Sequence, residues 1–190
     1  MSEARTRILD AARSLFLEEG VEAVTMRRVA ERVGVTATAL YRHFEGKGAL
    51  LNAVLDAGFQ SFGGYLYRAL KAGDPGERLR SSGQCYLDFA LEQPEVYRSI
   101  FMTPRPAKVE CGRNEPQWNA TFNFLVDRVR ECIDAGLLRP GDPQAVAVTI
   151  WALVHGLVSL YLTGATGMAE EEFRKSYRES IDRLFSGLWT

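Results

Sequence analysis

Two histidines 112 residues apart, His43 and His155, and three cysteines at spacings of 26 and 21, Cys85, Cys111 and Cys132, are the side chains best suited to proton transfer, metal ligation or thiol chemistry. They form no recognisable constellation. The chain has no HExxH, no GxSxG, no glycine-rich phosphate loop and no paired cysteine ligands, so the sequence argues against an enzyme and no metal or cofactor is expected. An odd cysteine count fits no disulfide framework and suits a reducing compartment, the cytoplasm. One thiol alternative stays open: Cys111 stands near Lys108 and Arg113, and neighbouring cations lower a thiol pKa, as a redox sensor requires.

A different chemistry, recognition of a polyanion, is concentrated in Thr25–Phe44. Thr25 is a good cap for a helix over Met26–Val33, Gly34 permits a turn, and a second helix over Thr36–His43 follows, a helix-turn-helix pattern. Ala30 is small enough for a close crossing, and Val29, Val33, Leu40 and Phe44 supply the apolar faces. Burying them leaves Ala37, Thr38, Tyr41 and Arg42 on the outward side, a mixture suited to a major groove. Thr25 and Lys47 stand at helix starts, where phosphate oxygens bind, and Arg42 can reach guanine bidentately. His43 presents a hydrogen-bonding tip beside the second of these helices, with packing between the third and fourth helices as its alternative reading.

Charge is distributed to match. From Thr25 to Gly48 there are five cations, Arg27, Arg28, Arg32, Arg42 and Lys47, against Glu31 and Glu45, a balance of +3. The rest carries 18 cations against 22 anions, so a whole-chain charge of −1 conceals a basic segment of the kind that neutralises phosphates. Hydrophobic content of 46%, charged content of 25% and 7 prolines exclude a disordered or low-complexity chain.

The elements that must position these residues are all helical, about nine in number. Ile8, Ala12, Leu15 and Phe16 make the stripe of a first helix closed by Gly20. A fourth helix starts near Lys47. Helices are expected over 47–71, 76–92, 94–102, 115–136, 143–163 and 170–188, with a long connection over Thr103–Asn114 that reads as a surface loop or a lid. Residues 1–50 hold 3 of the 20 aromatics, which divides the chain into a helix-turn-helix domain over 1–50 and a helical domain over 51–190. Ala145–Leu162 is uncharged but short for a bilayer and contains Thr149, His155, Gly156 and Ser159, so a buried or interfacial helix, with no membrane, is expected.

Leu40-Tyr41-Arg42-His43-Phe44, followed by Lys47 and Leu50-Leu51, together with Thr25 through Ala30 and Gly34-Val35, resembles the N-terminal domain of TetR/AcrR transcriptional regulators over residues 5–52. The resemblance implies a three-helix DNA-binding domain with the third helix as reader, joined by the fourth to a larger helical domain for ligand binding and dimerisation. It places Thr25, Thr36, Tyr41, His43 and Lys47 near phosphates of double-stranded operator DNA. It places Arg27, Ala37, Thr38 and Arg42 at base edges. Gly46 and Gly48 depart from the family, which usually has better helix formers beside the lysine.

Trp151, His155 and Gly156 resemble a Trp-His-Gly subgroup of these C-terminal domains. Candidates to line a pocket for a small apolar or aromatic effector are Phe59, Phe62, Tyr86, Phe89, Tyr97, Phe101, Trp118, Phe122, Trp151 and His155. Each aromatic also reads as ordinary core, and His155 also reads as a hydrogen-bonded core or interface group. In the last helix Phe173, Tyr177, Ile181, Leu184 and Leu188 form a stripe that can pack on 143–163. Those two helices, meeting their symmetry mates, would make a homodimer. The expected whole is a dimeric repressor of a palindromic operator, released by its effector.

Overall fold

The computed structural model describes residues 3–102 and 116–188, and every structural statement concerns these. They form nine α-helices and no strand: α1 Glu3–Glu19, α2 Met26–Val33, α3 Ala37–Tyr41, α4 Lys47–Leu66, α5 Pro75–Glu92, α6 Pro94–Tyr97, α7 Pro116–Asp134, α8 Pro143–Leu162 and α9 Glu170–Leu188. Short 3-10 turns lie at Val21–Ala23 and Tyr67–Lys71. Arg98–Met102 is a π-turn.

By packing, these residues divide into two compact units, one formed by the chain to Ser61 and from Gln93, the other by Phe62–Glu92 and the chain from Trp118. In the first, Ile8, Leu9, Ala12, Leu15 and Phe16 are buried, as expected of positions that recur at helical spacing. Gly20, at φ 84°, closes α1. α1 then packs on α2, on the turn after it, and on α6 with the π-turn. α4 closely meets the π-turn that follows α6: a Cβ at Gly58 would stand 2.5 Å from Cγ2 of Ile100.

In the second unit α5 packs against the Tyr67–Lys71 turn, and α8 packs on both α5 and α9. Tyr161 of α8 stacks on Phe173 of α9 at 4.2 Å and 5°. Tyr177 donates a hydrogen bond to the Gly83 carbonyl at 2.8 Å, and Arg174 pairs with Asp88 at 3.0 Å, fastening α9 to α5. Arg78 and Arg128 both reach Glu131, and these guanidinium hydrogen bonds, Arg128's foremost, hold its carboxyl below the ordinary range.

Three expectations need adjustment. The helix placed over 47–71 is α-helical only to Leu66 and tightens into a 3-10 turn, a common way to finish a helix. The segment 94–102 changes from α to π after Tyr97. On α9 the buried series is Phe173, Tyr177, Ile181 and Phe185, with Leu184 half-buried. Phe185 was absent from the sequence stripe, and the side chain of Leu188 lies outside the described residues. As for α8, its 20 residues are long and apolar enough to cross a membrane. Ala147, Ile150, Val154 and Val158 are buried, while Val148 and Leu160 stay 46% and 51% exposed.

Candidate nucleic-acid interface

The turn between α2 and α3 is built from local chemistry. Thr25 has extended backbone, and its hydroxyl accepts from the Arg28 amide at 3.2 Å, satisfying a donor that a helix start leaves open. α2 stops at Gly34, left-handed at φ 78°, whose amide donates to the Ala30 carbonyl at 3.0 Å. Thr36 caps α3 in turn, accepting from Ala39 N at 3.2 Å. Val29, Ala30, Leu40 and Phe44 are buried, which fixes the rotation of α3.

With Leu40 inward, Thr38, Tyr41, Arg42 and His43 are exposed and Ala37 is half-buried. Tyr41 shows 56% of its surface. The exposure of His43 removes its reading as packing between the third and fourth helices: α3 ends at Tyr41, and the following turn carries His43 outward. Thr25, Thr36 and Arg27 are exposed as well, and Lys47 opens α4. The nine DNA-contact candidates all belong to one compact unit.

Ion pairs surround this face, most of them between residues far apart in the sequence. Arg28 grips Glu19 through two hydrogen bonds of 2.6 and 2.8 Å, and Arg32 reaches Glu18 at 2.7 Å, so α1 and α2 are tied across their ends. Hydrogen bonds from Ser14 and Arg32 hold the Glu18 carboxyl below its ordinary range, and Arg28 does so for Glu19. Arg27 pairs with Glu31 at 2.9 Å and Lys47 with Glu22 at 3.2 Å. Arg42 has no carboxylate partner among the described residues. A free guanidinium beside exposed hydroxyls and a phenol can hydrogen-bond base edges and phosphates.

The aromatic candidates separate into two groups. In the first unit Phe59 meets Phe101 edge-on at 5.8 Å, and Tyr97 lies 5.0 Å from Phe101. In the second, Phe62 touches Tyr86 and Phe89 at 5.4 and 5.0 Å. The Tyr86 hydroxyl is 3.1 Å from Nδ1 of His155, whose ring lies 5.5 Å from Trp151, itself 6.3 Å from Phe122. Burial pushes the His155 imidazole below its ordinary pKa. The Trp118 side chain lies outside the described residues. An open groove of about 240 Å³ between α5 and α9, lined by Arg80, Gln84, Tyr177, Arg178, Ile181 and Asp182 among others, contains none of the aromatic candidates.

The thiols described are both buried. Burial pushes Cys132 up to about 11 and raises Cys85 as well, the reverse of an activated thiolate. Cys111, the sensor candidate, lies outside the described residues.

Comparison with known proteins matches residues 8–54 to the model of bacterial regulatory proteins of the tetR family. Residues 79–184 match a tetracyclin repressor-like C-terminal domain. The HTH-type transcriptional regulator TtgR of Pseudomonas putida is 38% identical over 84% of this chain and 80% of its own. The HTH-type transcriptional activator FasR of Mycolicibacterium smegmatis is 34% identical over 52% of this chain and 46% of its own. Among solved structures, a TetR family transcription regulator from Marinobacter aquaeolei VT8 superposes with a TM-score of 0.78 at 19% identity, covering 98% of this chain and 95% of the other.

Proposed function

Because this chain belongs to the TetR family of bacterial regulatory proteins, which are DNA-binding transcriptional regulators and not enzymes, we propose that it is a cytoplasmic repressor that binds a palindromic operator as a homodimer. Residues 1–50 form the reader and residues 51–190 the effector-binding and dimerisation domain. Thr25, Thr36, Tyr41, His43 and Lys47 contact phosphates, and Arg27, Ala37, Thr38 and Arg42 meet base edges. A small apolar or aromatic effector lodges among the aromatic side chains of the C-terminal domain and releases the DNA.

The observation that carries the DNA reading is the rotation of α3. Leu40 and Phe44 are buried while Thr38, Tyr41, Arg42 and His43 stand exposed. A dimer through α8 and α9 is supported by the exposed apolar surface of α8, which a lone chain leaves in water. For repression, the two α3 helices must span about 34 to 36 Å or a near multiple. An effector acts by favouring a conformation with another span.

The test is fluorescence anisotropy with duplex DNA taken from beside the protein's own gene. Affinity that falls with salt and exceeds that for scrambled sequence supports the reading. Affinity with neither salt dependence nor sequence preference overturns it.

A further inference from the structure

Lys47 is the first residue of α4, so its side chain adds a cation to a helix start whose free amides already carry positive charge equivalent to about half a proton. The residues beside it do little to hold this end. Gly46 and Gly48 have open space where side chains would lie. What offsets the charge is a carboxylate from another element: Glu22, in the turn Val21–Ala23, reaches Lys47 Nζ at 3.2 Å across 25 residues of sequence.

The pair differs from its neighbours. Arg28–Glu19 and Arg32–Glu18 tie α1 to α2 through cations that are not among the contact candidates. Arg27–Glu31 lies within one helix, with Arg27 85% exposed. Lys47–Glu22 alone of these engages a phosphate candidate with an acid from a different element. The Glu22 side chain is 93% exposed, against 35% for Lys47, so the carboxylate can leave for water at little cost while the cation stays in place.

We propose that Glu22 is an internal stand-in for a DNA phosphate, occupying the Lys47 ammonium in the free protein and competing with DNA for it. This rests on the reading of Lys47 as a phosphate contact. The two acceptors are alike in what the ammonium feels, since each presents anionic oxygen to it. Binding exchanges one for the other, and the free protein keeps its ammonium paired. An exposed ion pair is worth little, which puts the handicap at about two- to fivefold in affinity. The opposite role, in which Glu22 holds Lys47 ready for DNA, predicts the opposite sign.

Phosphate contact is independent of sequence, so a labelled random-sequence duplex of about three helical turns serves as probe across a series of salt concentrations. E22Q should bind about two- to fivefold tighter at low salt, the gain shrinking as salt rises. K47Q should bind more weakly, with a salt slope smaller by about one. In the K47Q background, E22Q should change nothing. Unchanged or weaker binding by E22Q overturns the proposal, as does a gain that persists without Lys47, which would be plain repulsion between Glu22 and DNA. A K47Q variant with unaltered affinity and slope overturns instead the phosphate reading beneath it. Glu22 is exposed and contributes nothing to the core, so thermal melts of E22Q should match the parent's.

Discussion

The hydroxyl of Tyr86 on α5 lies 3.1 Å from Nδ1 of His155 on α8, a bond between two helices that pack together. Burial holds this imidazole neutral to lower pH than usual. The unfolded chain, with histidine titrating near about 6.5, therefore binds more protons than the folded one as pH drops below that value. Stability contributed by neutral His155 is whole above about 6.5 and is lost as pH falls toward the depressed folded value. The melting temperature should decline from about pH 7 to about pH 5, and His155→Gln should flatten that decline. Calorimetry decides it: an equal slope in the variant would assign the pH dependence to other groups.

Gly58 is required by its neighbour. A Cβ there would stand 2.5 Å from Ile100 Cγ2 and 3.3 Å from Val96 Cγ1, and Ile100 is buried, so it would have to shift within the core. Gly58→Ala should cost about 1–3 kcal/mol in urea unfolding. Introduced into an Ile100→Ala background, where the obstructing methyl is gone, the same change should cost much less. Equal cost in both backgrounds would show that the close approach does not limit the site.

These two sites mark where the sequence stops being legible. Thr25 could be read as a cap, and Gly20 and Gly34 as a helix end and a turn, because each acts on amides within a few residues of itself. The buried stripe of α1 was legible for the same reason, being one face of one helix. Gly58 looks like any helical glycine until Ile100 is placed against it. Glu18, Glu19 and Glu22 find their cations 14, 9 and 25 residues away, and spacing within one helix cannot reveal such pairs. His43 was ambiguous because its exposure depends on α3 ending at Tyr41, a matter of two residues. On α9 the sequence stripe runs from Ile181 to Leu184 and Leu188, whereas the buried face continues at a four-residue step to Phe185.

Cys132 donates to the Pro75 carbonyl at 3.3 Å, and its pKa is pushed up to about 11 by burial, with Glu131 adding to the rise. Only thiolate reacts, so iodoacetamide at neutral pH should leave Cys132 and Cys85 unmodified in the folded protein and alkylate both in guanidinium. Peptide mass spectrometry reads the sites. Native labelling of Cys132 at the unfolded rate would contradict its burial.

Arg42 and Lys47 should fail differently when removed. Arg42, exposed and unpaired at the end of α3, is the residue proposed to read a base. Arg42→Ala should cost about 1–3 kcal/mol on the preferred sequence, little on random DNA, and should broaden the sequences enriched from a random library. Lys47→Gln should weaken both duplexes alike. Equal losses on both duplexes for Arg42→Ala would move that residue to the phosphates.

Val148, Ala152, Gly156 and Leu160 follow one another at four-residue steps on α8, Val148 and Leu160 46% and 51% exposed. Small residues between two larger apolar ones let a second helix come close, and an isologous interface uses the same stripe on both chains. Leu160→Glu would bring two carboxylates into that seam while leaving the buried side of α8, with Val154 and Val158, untouched. Light scattering should show the parent at about twice the 21.2 kDa of one chain and the variant at a single chain. Its circular dichroism should be unchanged. Affinity for a palindromic site should then fall by about two orders of magnitude or more, because the second reader is no longer held near its half-site. A variant that remains dimeric would place the interface elsewhere on the chain.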